Sequence, residues 1–140
     1  MSPKEKPRER RSYELENECA DVLADRGYLV HQNPTRVAVA EARRNTGDTG
    51  NPEKAPDYLV EGHVFDCYAP EAETSVRGVW TAVVRKVREE QTQRVAVHLA
   101  DWRGRLVDLQ RQFDDWPVVD LKEVVAVKRD GSIVQILRTD

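Results

Sequence analysis

The run from Arg94 to Ala100 limits the fold more than any other stretch of this chain. It has the length of a strand, is close to continuously apolar, and lacks the alternation of a strand with one wet face. Such a strand sits centrally in its sheet and needs cover on both sides. The covering elements show as helical stripes. Leu15, Cys19, Val22 and Leu23 recur at helical spacing behind Ser12, a suitable N-cap, with Glu14 and Glu16 in the first turn and Gly27 as the stop. Val76, Val79, Trp80, Val83 and Val87 form a second stripe behind Thr74 or Ser75, and Leu106, Leu109 and Phe113 mark a third, shorter helix.

The other apolar runs are short. Tyr28 to Gln32 reads as a strand ended by Asn33 and Pro34. Asp57 to Val60 and His63 to Tyr68 flank Glu61 and Gly62, a tight-hairpin signal, and Val124 to Lys128 and Ser132 to Leu137 flank a second turn at Arg129, Asp130 and Gly131. The segment at about 35–55 is polar and punctuated by Gly and Pro. Within it Arg36 to Arg44 predicts a short helix and Asn45 to Asn51 an open loop, so the segment reads as an insertion or a lid. The resulting order of helix, strand, hairpin, helix, strand, helix, hairpin predicts an α+β or mixed α/β fold, with helices packed on one mixed β-sheet.

A chain of 140 residues buries enough surface for one domain, expected at residues 12–140. Residues 1–11 carry Lys4, Lys6, Arg8, Arg10 and Arg11 against Glu5 and Glu9, and are expected to form a disordered basic tail, either a solvated linker or a contact to a phosphate backbone. The formal net charge is −3. An acidic body binds nucleic acid only through a local basic patch. No apolar run approaches the roughly 18–20 residues that cross a bilayer, and residues 1–11 lack the apolar stretch of a secretory signal. No membrane partner is expected, and the chain is expected in the cytoplasm unless it was cut from a longer exported protein. Cys19 and Cys67 have apolar neighbours and read as small buried hydrophobes, and with His31, His63 and His98 they make no metal-ligand spacing.

Carboxylates on strands are the first candidates for chemistry, because a buried charge needs a partner or a metal. Antiparallel pairing about Glu61 and Gly62 brings Asp57 and Asp66 side by side. Two such groups repel unless a divalent cation shares them, which points to Mg2+ or Mn2+ acting on a phosphoryl group. The plainer reading has Asp57 capping a loop after Pro56 and Asp66 paired with an arginine. Lys86 borders the buried stripe of the second helix and either reaches inward or stays solvated. Glu16 and Glu18 flank the first helix's stripe on opposite sides, so one of them can face a site, and Glu18 is the choice. Gln91 falls on the apolar face of the second helix, where its amide needs partners or caps the helix end.

The leading acidic helix, the strands carrying Pro56, Asp57, Asp66, Cys67 and Tyr68, and the trailing helix resemble the αβββαβ core of the PD-(D/E)xK nucleases. Tyr68 stands where that pattern has lysine, a place that Lys86 could fill from the second helix. A wider resemblance runs over about residues 12–137. Glu16, Asn17, Glu18 and Ala20, Gly27 and Tyr28, Gln32 to Pro34, Pro56 to Leu59, and Phe65 to Pro70 are similar to successive blocks of the C-terminal tRNA nuclease toxin domain of the contact-dependent growth-inhibition protein CdiA. Arg77, Trp80, Lys86, Val87, Gln91, Arg94, Leu99, Gln112, Phe113, Trp116, Pro117 and Leu121 to Val124 continue the likeness. The polar loop from about Thr35 to Lys54 is longer than the family norm.

The resemblance implies a toxin endoribonuclease that cleaves tRNA, is delivered into the cytoplasm of a target cell, and is neutralised by a cognate immunity protein. It implies Asp57, Asp66, Lys86, Glu18 and Tyr68 as catalytic residues, with Asp57 and Asp66 as metal ligands or acid/base groups. Arg77, Gln91 and Arg94 would contact or orient the substrate. Toxins of this kind also use a metal-free fold related to barnase, EndoU, colicin or RelE, which His63, Tyr68 and Lys86 could serve without a cofactor. A catalytically inactive protein-interaction module is the other functional reading, supported by Tyr68 and the acidic body.

Overall fold

A computed structural model describes residues 7–139. Helix α1 (Pro7–Asp25) is followed by β1 (Val30–Gln32), α2 (Arg36–Thr46), and the hairpin β2 (Tyr58–Val60) and β3 (His63–Tyr68). Then come α3 (Val76–Arg88), β4 (Arg94–His98), α4 (Leu106–Asp115), β5 (Glu123–Val127) and β6 (Ile133–Arg138). The six strands form one mixed sheet in sequence order. β3, β4 and β5 run parallel, joined by the crossover helices α3 and α4, and antiparallel hairpins extend the sheet on both sides.

β4 and β5 are buried along their whole length, as the unbroken apolar run requires. Their side chains alternate between two cores. Ala96, Val125 and Val127 meet Cys19, Ala20 and Leu23 of α1, together with Tyr58 and Phe65. Val95, Val97, Val124 and Ala126 meet Val79, Val83 and Val87 of α3 and Leu109 and Phe113 of α4. α2 covers the hairpin, with Val39 and Ala42 packed on Val64. Val64, Asp66 and Tyr68 alternate onto one face of β3, so α2 lies on the same side of the sheet as α3.

Local chemistry fixes the ends. Ser75 Oγ accepts from Gly78 N at 2.9 Å to cap α3, and Thr35 Oγ1 does the same for α2 with Ala38 N at 3.1 Å. Glu61 and Gly62 both adopt positive φ, 51° and 78°, as a two-residue turn matched to strand twist demands. α1 departs from expectation, because it is already helical at Pro7 and Ser12 is internal rather than its cap. Residues 1–6 of the expected basic tail lie outside the described residues.

The segment at 35–55 combines the expected short helix with a loop that packs inward. Half of it is α2, and the loop after Gly47 inserts Asp48 into the interior, 4% exposed. Asp48 accepts from Arg94 Nε at 2.8 Å, Arg94 Nη2 at 3.1 Å and Lys122 Nζ at 3.0 Å, and lies 3.2 Å from His63 Nδ1. Arg94 also donates to Glu123. A buried guanidinium needs such pairing on every side, and this network stitches the loop to the starts of β3, β4 and β5.

Candidate active site

The hairpin register Tyr58↔Phe65, Leu59↔Val64, Val60↔His63 continues outward to set Asp57 opposite Asp66. The two residues close the open end of the hairpin with their own side chains. Asp57 N donates to Asp66 Oδ1 at 3.0 Å, and Cys67 N donates to Asp57 Oδ2 at 2.8 Å. The Asp57 carboxylate thus serves the β3 edge where the ladder to β2 has run out. The carbonyl of Asp57 accepts from Asn33 N at 2.9 Å, so its backbone is held on both sides. Two carboxylates pinned this way cannot swing apart to relieve their repulsion.

α3 brings a cation. Lys86 Nζ lies 3.0 Å from Asp66 Oδ2, and Asp66 itself is 2% exposed. Gln91, three residues beyond the end of α3 rather than on it, donates from Nε2 to Asp66 Oδ1 at 3.3 Å and to Ala55 O at 3.0 Å. It ties Asp66 to the segment that leads into Asp57. Asp66 therefore accepts from Asp57 N, Gln91 Nε2 and Lys86 Nζ, whereas Asp57 Oδ1 accepts no hydrogen bond among the described residues. Burial first, and the Asp66 carboxylate second, push the Asp57 carboxyl up to about 7.

Glu16, not Glu18, is the α1 carboxylate in this field. Burial raises the Glu16 pKa, Asp66 raises it further, and Lys86 opposes the rise. Its backbone carbonyl accepts the Tyr58 hydroxyl, which fixes this turn of α1 over the hairpin. Glu18 points elsewhere, 3.2 Å from His98 Nε2. The signal that separates them is Ala20. Counting buried Ala20 with Leu15, Cys19 and Leu23 turns the centre of the stripe toward Glu16 and leaves Glu18 more than about 100° from it, at roughly 100° per residue.

Four other expected site residues do not join the cluster. Arg94 is completely buried and committed to Asp48 and Glu123, so it is a structural cation that substrate cannot reach. Arg77 is nine residues from Lys86, about half a turn out of phase, and its guanidinium packs on the Trp80 and Trp116 rings at 5.7 and 5.9 Å. Tyr68 shares the Asp66 face but packs against the α3 core, where burial raises its hydroxyl pKa, and it makes no hydrogen bond to either aspartate. His63 lies at the opposite end of β3, engaged with Asp48.

The contact-dependent growth inhibition CdiA C-terminal domain family matches residues 54–133, which include Asp57, Asp66, Lys86 and Gln91. The chain belongs to this family. A curated relative, the tRNA nuclease CdiA-2 of Burkholderia pseudomallei (strain 1026b), is 33% identical over 126 residues, 90% of this CdiA C-terminal domain. The chain spans only 4% of that protein's length. The solved CdiA-CT/CdiI toxin and immunity complex from Burkholderia pseudomallei contains a chain that superposes with a TM-score of 0.81 at 29% identity, covering 99% of this chain and 93% of that one. The mixed six-stranded sheet with its four helices is thus the fold of a CdiA toxin domain. Among the described residues no helix of this CdiA domain is long and apolar enough to cross a membrane.

Proposed function

We propose that this domain is a toxin endoribonuclease that cleaves phosphodiester bonds of tRNA, using Asp57, Asp66, Lys86 and Gln91, with Glu16 as an accessory carboxylate. The observation that carries the reading is the fixed Asp57–Asp66 pair with the Lys86 ammonium 3.0 Å from Asp66. The 33% identity to a protein named as a tRNA nuclease supports the substrate. The same geometry supports a PD-(D/E)xK-like core, with Lys86 supplying from α3 the cation that Tyr68 does not.

Asp57 and Asp66 are the residues that would hold Mg2+ or Mn2+. Among the described residues no group of three or more His, Cys, Asp or Glu is arranged to bind an ion, but magnesium sites commonly use one or two carboxylates and retain water. The oxygen-only donors, and a carboxyl pushed up to about 7 by burial and its neighbour, fit a hard cation. When bound, such an ion polarises a phosphoryl oxygen and lowers the pKa of a bound water.

The chain's own residues do the rest. Lys86 places positive charge where the phosphoryl group gains negative charge, Gln91 holds the orientation of Asp66, and the Cys67 amide fixes Asp57. With His63 engaged by Asp48, the barnase-like arrangement of His63, Tyr68 and Lys86 has less support than the two-carboxylate site. The structural neighbour's complex with CdiI supports a cognate immunity protein as partner, and action in the cytoplasm of a target cell follows from tRNA as substrate.

The test is gel-based cleavage of total tRNA by the purified domain with magnesium, with manganese, and with a chelator. Wild-type protein should cleave in either metal, and Asp57→Ala and Asp66→Ala should each lose cleavage. Full activity in both variants would falsify the assignment.

A further inference from the structure

Among the described residues, a basic cleft lies against the segment that leads into Asp57. A cavity of about 330 Å³ between α2 and the loop that follows it is lined by Arg36, Arg43, Arg44 and Lys54, and by Ala55 and Pro56 immediately before Asp57. No Asp or Glu lines it. Glu53 lies 3.5 Å from Arg36 in an ion pair whose two side chains are each 75% exposed, a contact that costs little to open, and Asp48 and Asp66 act on Arg43 from the inner side.

Arg43 forms the inner wall of this cleft. Its guanidinium packs against Gly50, where a Cβ would meet Nη2 at 2.2 Å, so a side chain at residue 50 would push the arginine out of its present position. Its hydrogen bonds are long, 3.5 Å to Asn51 O and 3.4 Å to Gln91 O, and its buried Nε has no partner. The arginine is thus built into the wall yet incompletely satisfied. Through the Gln91 backbone it also abuts the residue that orients Asp66.

Four cations along one cleft, with proline and alanine between them, suit a polyanion with apolar sugar faces. Their continuity with Pro56 and Asp57 means a strand lying in the cleft would run into the carboxylate pair. We infer that the α2 cleft is a backbone-binding subsite that holds the RNA phosphates flanking the scissile bond, with Arg36, Arg44 and Lys54 as contacts and Arg43 as the fixed wall. This deepens, and rests on, the nuclease reading. It also gives the segment at 35–55 a role in substrate binding, beyond anchoring the loop through Asp48.

Fluorescence anisotropy with labelled tRNA in magnesium-free buffer tests the cleft apart from cleavage. Across 50–200 mM NaCl, wild-type protein should bind with a marked salt dependence. The triple variant Arg36→Ala, Arg44→Ala, Lys54→Ala should raise Kd at least about tenfold at 100 mM, and flatten the slope of log K against log salt by about 2. Should that variant fold poorly, Arg36→Ala and Lys54→Ala singly should each flatten the slope by just under about 1. An unchanged Kd and slope in folded variants, or no binding by wild type, overturns the cleft. Wild-type binding that is lost in the variants, without cleavage in magnesium or manganese, upholds the cleft and overturns the nuclease reading instead.

Discussion

Asp57 and Asp66 exchange groups across the open end of one hairpin: the Asp57 amide donates to the Asp66 carboxylate at 3.0 Å, and the Asp57 carboxylate accepts the amide of Cys67 at 2.8 Å, one residue past Asp66. Each aspartate is thereby part of the fold as well as of the site. Substitutions there should separate chemistry from stability only when they respect both functions.

Lys86 and Asp66 should respond unequally. Asp66→Asn leaves Lys86, 25% exposed, able to turn toward water, and should cost little in melting temperature while removing cleavage. Lys86→Ala strands a carboxylate that is 2% exposed, and should cost about 3 kcal/mol at neutral pH together with a loss of activity of about 100-fold or more. Urea denaturation and tRNA cleavage measured on the same preparations check both.

Asp57 sets a pH dependence of stability. Its folded carboxyl is pushed up to about 7 from an ordinary 3.8, so between those values the folded chain holds a proton that the unfolded chain has released. Unfolding free energy from this group therefore falls as pH rises through that window and levels off above it. In chelator, Asp57→Asn should flatten the loss between pH 5 and pH 8. Magnesium should raise the melting temperature more at pH 8 than at pH 5, because the site binds it with Asp57 ionised.

Asp48 works in the opposite sense. Arg94, Lys122 and His63 overcome its burial and hold its pKa well below the ordinary 3.8. Its stabilisation is complete above that ordinary value and is lost as pH falls through the depressed one. Asp48→Ala leaves Arg94, with no exposed surface, short of a partner, and should cost about 3–5 kcal/mol. Equilibrium unfolding at neutral pH measures it.

Arg77→Ala should leave tRNA cleavage within about twofold, since the side chain stands on the far face of α3 from Lys86 and spans Trp80 and Trp116. A stability loss of about 0.5–1 kcal/mol is expected from the cation–π contacts. A large rise in KM without that loss would place RNA on the aromatic face instead.

The sequence by itself determined the order of elements, the central strand at Arg94, the capped α3, the Glu61–Gly62 turn and the pairing of Asp57 with Asp66. Each depends on neighbours a few residues apart, whose spacing dictates phase. Tertiary structure alone decided which charged groups are spent on the fold. Arg94 has the same chemistry as a phosphate-binding arginine, and only the arrival of Asp48 from a distant loop makes it a core cation. Glu16 and Glu18 are two positions apart on one helix, and the packing of Ala20 against the hairpin chose between them. Long-range electrostatic partners of this kind leave no periodic trace, because they are brought together by chain closure rather than by local geometry.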